Sequence, residues 1–452
     1  MAKNYSASEV AQLHKRTIIV VMLAQFLGGA GLAAGITVGA LLAQELQVSD
    51  SLVGLPQALF TLGAALASWL LGNISNRSGR RVGLSGGFLV GAIGAVGVVL
   101  SAIWGNVALY FCFLFIYGSG SATNMQARYA GTDLAPAKRR AFSVSMAMVS
   151  TTFGAVVGPN MVATLTPLAE AAGAPGLCGV FMLAAVAYAL AATVFFVFLR
   201  PDPLLVAKAL AANEVKAAAE RNAAAPTTPA AQSDAAPAAE ATETQAGTET
   251  PAAATAQTPA THPATGAEGS RKGVALGAFI LIIAWFVMAM IMTMTPVQMR
   301  AHDHALASVG MVVGLHVGAM YFPSLVTGLI TDRIGWRRMA VCGGVTLIAA
   351  AAIAAWAPAD SLAMSTLALL LLGIGWNLGF ISGTTLVVAS STIEKRARTQ
   401  GNVDVLVSMT SALAGGSSSI IAVAIGFTGM SLFGAALALA MIVIVIVASR
   451  KV

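Results

Sequence analysis

Gly72-Asn-Ile-Ser-Asn76-Arg77-Ser-Gly79-Arg80-Arg81 is written a second time, loosely, as Gly328-Leu-Ile-Thr-Asp332-Arg333-Ile-Gly335-Trp-Arg337-Arg338. Each copy closes the second of six long apolar segments. A crossing helix needs about 20 mostly apolar residues, and on that measure the first set is 17–42, 52–73, 82–103, 107–131, 141–165 and 176–199. The second set is 273–297, 307–331, 338–357, 362–390, 402–425 and 427–448. One motif at the same place in both sets reads as a duplicated membrane module, whose halves are related by a pseudo-two-fold axis along the membrane normal. The expected fold is an all-α membrane protein of twelve transmembrane helices, with six-helix halves over 17–203 and 273–448.

Composition agrees. Hydrophobic residues make up 57% of the chain and charged residues only 10%, with a mean hydropathy of +0.82. Soluble domains carry roughly 25% charged residues. The net charge of +7 calls for no nucleic acid, because it sits in loops on one side: His14-Lys15-Arg16, Arg77/Arg80/Arg81, Lys138-Arg139-Arg140, Arg333/Arg337/Arg338, Lys395-Arg396-Ala397-Arg398 and Arg450-Lys451. The opposite loops carry Glu45, Asp50, Glu170 and Asp360, with Arg300 as the basic exception. The positive-inside rule then puts both termini, 1–16 and 449–452, and the central connection in the cytoplasm of a bacterium, with the chain in its inner membrane. Cys112, Cys178 and Cys342 lie in separate apolar segments without disulfide or zinc spacing, and are expected to be buried packing residues.

Residues 204–272 break the apolar pattern. Ala, Pro, Thr, Gln and Glu dominate there, a composition that cannot offset the entropy of ordering, so a disordered cytoplasmic linker is expected. Its first part, Leu204–Asn222, is rich enough in Ala, Lys and Glu for a short interfacial helix.

The two repeated loops resemble the signature loop of the major facilitator superfamily, G-x-x-x-D-R-x-G-R-R. The resemblance covers the chain outside the linker and implies a secondary transporter working by alternating access. It assigns a structural and gating role to Gly72, Asn76, Arg77, Gly79, Arg80, Gly328, Asp332, Arg333, Gly335 and Arg337. The acidic position of the loop implies a charge-and-dipole latch to the opposite half; Asp332 keeps it, whereas Asn76 leaves a weaker or purely hydrogen-bonded one. Gly154-Ala-Val-Val-Gly158-Pro159 resembles part of the helix-bending motif of drug/proton antiporters; small residues there also permit close helix packing.

Met288-xxx-Met292 and His316-xxx-Met320 each place two donors on one helical face, and thioether with imidazole suits a soft ion, Cu(I) above all. The pairs resemble the paired motifs of CcoA-type copper importers. That resemblance implies copper as transported substrate, with no resident cofactor, Met288, Met292, His316 and Met320 as its ligands, and a cytoplasmic copper acceptor leading to terminal oxidase assembly. Met299, His302 and His304, on the outward loop, are candidates for metal capture at the entrance. Methionine also fills helix interfaces, and the chain has 19 methionines, so packing is the competing reading. Relatives in the same branch are linked to riboflavin, which leaves a small organic solute as the alternative, with Trp285, Tyr321 and Trp376 available to stack on a flat ring. A proton-coupled drug exporter is the third transport reading, and the spans of the first half lack the deep carboxylate it needs.

Arg128 is expected to pair with Asp133 or the signature loop, Asp404 sits near the start of the eleventh span, and Asn124, Asn160, Asn377 and Asn402 are the candidates to line a cavity or bridge helices. The lipid bilayer is the expected environment and a monomer the expected state. Walker, Cys-x-x-Cys and His-Glu-x-x-His patterns do not occur, so ATP-driven and enzymatic readings fail.

Overall fold

The computed structural model describes residues 5–46, 55–224, 270–358 and 360–449, and its regular elements are all helical. In chain order they are α1 (Ala7–Thr37), α2 (Gly39–Glu45), α3 (Leu55–Ser78), α4 (Arg80–Ile103), α5 (Val107–Ala130), α6 (Arg140–Asn160), α7 (Val162–Ala171), α8 (Gly179–Phe198) and α9 (Pro203–Ala224). The second half holds α10 (Arg271–Ala301), α11 (Leu306–Tyr321), α12 (Ser324–Ile334), α13 (Trp336–Trp356), α14 (Leu362–Ser390) and α15 (Arg396–Ala448). Among the described residues ten segments are long and apolar enough to cross a membrane. One of them, α15, runs for 53 residues and is broken at Gly426 (φ 73°, ψ 167°) into two arms. The pair α6–α7 adds the remaining crossing, giving twelve.

The helix starts depart from the hydropathy pattern where capping outweighs it. α1 begins at Ala7 rather than Thr17, because Ser6 and Glu9 form a capping box: the Ser6 hydroxyl accepts from Glu9 N–H at 3.3 Å and the Glu9 carboxylate from Ser6 N–H at 2.7 Å. In the first part of the expected linker, where Leu204–Asn222 reads as a short helix, the chain is helical. Asp202 accepts the N–H groups of Leu204 and Leu205 at 3.0 and 3.2 Å, Pro203 occupies the first helical position, and α9 follows. Leu204, Val206 and Ala207 are buried in a small cluster with Leu134, which docks the start of this helix. The remainder of the linker, 225–269, lies outside the described residues, as do Asp50, Arg450 and Lys451.

Two spans are interrupted. α6 stops at Asn160 and α7 resumes at Val162, directly after the Gly154–Pro159 stretch. A Cβ on Gly154 would collide with the Phe26 carbonyl of α1, so this glycine serves close packing. The eighth span breaks at Phe322–Pro323 between α11 and α12, where proline cannot donate a backbone hydrogen bond. Asn377 of α14 fills the gap: its Nδ2 donates to the Met320 carbonyl at 2.7 Å and to Ser324 Oγ at 2.6 Å, and its Oδ1 accepts from Thr327 at 2.9 Å.

The signature glycines turn the chain with matching torsions, Gly79 at φ 92°, ψ 165° and Gly335 at φ 86°, ψ 153°. Only glycine adopts these readily. The first half has its own apolar core, and the core of the second half takes in Ala141, Val144 and Met148 of α6. Of the cysteines, Cys178 is buried while Cys112 and Cys342 are exposed on the outside of the bundle, a surface on which a small weakly polar side chain needs no partner.

Candidate functional site

Between the halves lies a small cavity of about 20 Å³, lined by Gln25, Asn124, Met125, Arg128, Met148, Thr151, Tyr321, Trp376 and Phe380. Its floor is aromatic because α14 places Trp376 and Phe380 one turn apart on one face. Their rings stack at 4.8 Å and 20°, while Trp285 and Tyr321 meet Trp376 edge-on at 5.1 and 5.6 Å. A few polar groups are set among its apolar walls. Among the described residues, Gln25 Oε1, Asn124 Nδ2, Arg128 Nε and Trp376 Nε1 are buried around it without a hydrogen-bond partner, as is Trp285 Nε1 behind it. Buried polar atoms are nearly always satisfied, so a set of orphans converging on one cavity marks a place where a polar molecule binds.

Beneath the cavity two ion pairs are buried. Arg80 Nε donates to Asp133 Oδ2 at 2.8 Å within the first half, with both side chains fully buried. Arg80 also donates to Gln400 of α15. Arg128 does not pair with Asp133 or with the signature loop. Its Nη2 crosses to Asp404 Oδ1 of the second half at 2.7 Å, because Asp133 is already taken by Arg80. Tyr129 adds its hydroxyl to the same oxygen at 3.3 Å, and the Arg128 guanidinium lies 4.2 Å from the Tyr129 ring centroid and 4.7 Å from that of Phe380. Reading the sequence span by span misses this pair; the available signal was one Arg and one Asp within apolar segments of opposite halves, the costly kind of residue that marks a functional place.

Among the described residues, the other hydrogen bonds between the halves gather at the same end. Asp332 accepts the N–H groups of Ala141 and Phe142, at the start of α6, at 3.0 and 2.9 Å. Its counterpart Asn76 is half-buried with Oδ1 unpartnered, and its backbone carbonyl accepts from Lys208 of α9 at 2.6 Å. At that position α3 meets α15 through bare backbone, Gly72 against Gly401, while Gly328 of α12 lies against Ser145 and Ala141 of α6. Arg77 and Arg333 are exposed, and Arg337 reaches the Ile446 carbonyl at 3.3 Å. Arg81 N–H donates to Asp202 at 2.7 Å, tying this loop to the root of α9. The Asp202 carboxyl is pushed above its ordinary pKa, chiefly by burial, against the lowering effect of the N–H groups it accepts.

The Met/His residues take a different position. Met288 and Met320 are buried in the core of the second half, and Met292 packs against that core. His316 is fully buried. Its Nδ1 lies 2.7 Å from the Leu369 carbonyl; a carbonyl only accepts, so Nδ1 carries the proton and Nε2 keeps its lone pair, unpartnered. The inter-half cavity is lined by Met125 and Met148 rather than by these four residues. Met299 is turned inward among Val309, Val312 and Leu369, away from the outer loop where His302 is exposed and His304 half-buried. Asn124 lines the cavity and Asn377 bridges helices, whereas Asn402 is exposed. Gly158, Pro159 and Asn160 lie within or at the end of α6, and their side-chain surroundings fall outside the described residues.

Comparison with known proteins fits this architecture. The profile of the Major Facilitator Superfamily matches residues 21–401 and, again, 274–451. The chain is 46% identical over 442 residues to the uncharacterised MFS-type transporter YdeG of Bacillus subtilis, covering 98% of this chain and 94% of that one. It is 29% identical over 410 residues to the riboflavin transporter RfnT of Brucella anthropi, covering 88% and 87%. Among solved structures, the proton:xylose symporter XylE superposes with a TM-score of 0.68 at 14% identity, covering 95% of each chain. Two six-helix halves, a signature loop in each and a cavity between them, matched end to end by transporters rather than enzymes, identify this chain as a member of the major facilitator superfamily.

Proposed function

We propose that this transporter carries a small, flat, polar organic solute of the riboflavin type into a bacterial cytoplasm by alternating access, with the cavity between the halves as its binding site. The observation that carries this reading is the conjunction of the stacked Trp376–Phe380 floor with the unpartnered Gln25, Asn124, Arg128 and Trp376 polar atoms around it. A heteroaromatic ring supplies a π-face for the former and ring carbonyl and nitrogen atoms for the latter, in the mostly apolar pocket with a few placed polar groups that ligand sites share. The likeness to RfnT supports the same solute class. The signature loops and basic loops are taken as cytoplasmic. In this arrangement Asp332 and the Arg80–Gln400 contact hold that end shut while the cavity loads from outside. Uptake of radiolabelled riboflavin by cells lacking their own importer tests the reading: the intact chain restores uptake, and failure of the well-expressed protein to do so removes riboflavin.

A second reading, copper import with delivery to a cytoplasmic acceptor, is favoured by one observation, the buried His316 Nε2 lone pair, one turn from Met320. An imidazole whose other nitrogen is fixed by a carbonyl is the usual form of a metal-ligating histidine. Met288 and Met292 on α10 would complete a soft donor set for copper as cargo. Radioactive copper uptake in a deletion strain, rescued by wild type but not by His316→Ala, supports this reading; unchanged copper uptake on deletion removes it.

A further inference from the structure

At the signature-loop end the halves meet twice in the same way. Gly328 of α12 lies against Ser145 and the Ala141 carbonyl of α6; one turn on, Asp332 takes the N–H groups of Ala141 and Phe142. Gly72 of α3 lies against Gly401 and the Ala397 carbonyl of α15, and one turn on stands Asn76. Residues four apart share a helical face, so Asn76 is turned to the start of α15 as Asp332 is to the start of α6. The pair Arg396-Ala397 there corresponds to Arg140-Ala141.

The second contact lacks the negative charge of the first. No side chain caps the start of α15, and Asn76 Oδ1 is buried without a partner. Arg396 is only 8% exposed and its Nε is unpartnered. Among the described residues no carboxylate lies within ion-pair distance of it. Arg80 and Arg140 are near enough to repel it; the acids in range are Asp133, already held by Arg80, and the exposed Glu394. One turn on from Arg396, Gln400 accepts from Arg80 through Oε1, which leaves Gln400 Nε2 buried and unpartnered, as is Arg80 Nη1. Lys208 of α9 adds a further positive charge at the Asn76 carbonyl. A buried guanidinium without an anion is costly, and an uncapped helix start attracts negative charge. Water answers a set of donors poorly, because it brings hydrogens that need acceptors of their own.

We propose that a small monovalent anion, chloride in size and charge, binds at the start of α15 between Arg396, Gln400 and Arg80, in place of the carboxylate that Asn76 lacks. Guanidinium groups are weakly hydrated and suit a buried ion of this kind. The donor atoms are enclosed, so the space they share takes one small ion and not a nucleotide or a lipid headgroup. Arg80 belongs to the first half and Arg396 and Gln400 to the second, so the site is complete only while the two are pressed together. A ligand that binds one state shifts the population toward it. Chloride from the cytoplasm thus bolts this end shut and is released when the end parts. The proposal rests on alternating access and not on the identity of the solute.

Two measurements on purified full-length protein in neutral detergent decide it, starting from halide-free gluconate buffer at constant ionic strength. In the first, radioactive chloride is titrated in. Wild type should bind about one chloride per chain, saturably, whereas Arg396→Gln, which loses a donor, and Asn76→Asp, which carries its own carboxylate, should bind none. The second reads closure from maleimide labelling of Ser145→Cys, at the other contact between the halves, with the native cysteines replaced by serine. At chloride roughly ten times its dissociation constant, labelling should slow roughly tenfold. It should stay fast when Arg396→Gln is added, and be slow even without chloride when Asn76→Asp is added. Absence of saturable binding in wild type, binding retained in either variant, or binding that leaves labelling unchanged overturns the proposal. Equal protection by gluconate overturns it too, since that is only screening. If Arg396→Gln does not elute as a folded monodisperse species, Asn76→Asp alone decides, because it adds a cap rather than removing a contact.

Discussion

Gly72 and Gly401 touch backbone to backbone across the two halves: a Cβ built on Gly401 would lie 2.7 Å from the Gly72 Cα, and one on Gly72 would lie 2.9 Å from the Gly401 Cα. Such a contact exists only while α3 and α15 are pressed together. Overpacking costs about 1–3 kcal/mol, and here the cost falls on the closed state alone. Gly401→Val is therefore expected to shift the population toward the parted state by roughly 5- to 150-fold. Cysteines introduced along this seam should become reactive to a membrane-impermeant maleimide in Gly401→Val and stay protected in wild type.

Asp332 caps α6 across the interface, and removing such a cap costs about 0.5–2 kcal/mol. Asp332→Ala should weaken closure by about that much, while Asp332→Asn, which keeps one acceptor, should lose less. The order Asp > Asn > Ala is to be read from protection of the Ala141–Phe142 amides against hydrogen exchange. A reversed order would mean that the carboxylate acts elsewhere.

Trp376 is fully buried, so Trp376→Ala would confuse binding with collapse, at about 3–5 kcal/mol of stability. Trp376→Phe keeps the ring and removes the unpartnered indole N–H. A lost hydrogen bond to a bound solute should weaken riboflavin binding by about 0.5–1.5 kcal/mol with little change in Tm. Fluorescence quenching of riboflavin measures the first and a melting curve the second.

Asn377 satisfies two groups at the break of the eighth span and accepts from a third. Asn377→Leu leaves the Met320 carbonyl and two hydroxyls without this partner, and should destabilise the second half by about 1–3 kcal/mol. Asn377→Ser should recover part of the loss, as judged from thermal unfolding in detergent.

Asp202 supplies a pH dependence. Its folded carboxyl binds protons more tightly than the unfolded one, because burial disfavours the charge. The stabilisation from the protonated form is present below the unfolded value of about 3.9 and is lost as pH rises through the higher folded value. Wild-type Tm should fall over that acidic interval more than Tm of Asp202→Asn, which cannot ionise. Parallel curves would show that Asp202 does not titrate there.

What could be read ahead was what depends on neighbours in the chain. The duplicated loops announced twelve spans, and the positive φ at Gly79 and Gly335 is the torsional reason those glycines stand at matching places. The boundary between the last two spans was expected beside Gly426, where the helix is broken. The Ser6-x-x-Glu9 capping box was equally legible, and hydropathy alone passed over it. Aromatic residues around Trp376 could be named, but not that Gln25 from α1 and Arg128 from α5 close the same cavity. The Arg128–Asp404 pair joins residues far apart in sequence, and nothing local distinguishes Asp133 from Asp404 as partner. The Met/His spacing was plain in the sequence; that Met299 turns inward while the loop histidines stay outside depends on how α10 packs against α11 and α14.

The two copies of the signature loop have each kept what the other lost. The first has Asn76 where the second has Asp332, and the second has Trp336 where the first has Arg80. The caps and charges that hold the closed end are thus divided between the halves, and neither half alone carries a complete set.

The broken helix α15 has a mechanical consequence. Its two arms share one non-helical residue, and the arm from Asp404 to Gly426 is about 33 Å long at the helical rise. A rotation of only 10° or so about the Gly426 torsions would swing the Asp404 end by roughly 6 Å on a lever of that length, more than enough to break a hydrogen-bonded pair. The residue that sets the stroke of this machine is the one farthest along the arm from the charge it moves.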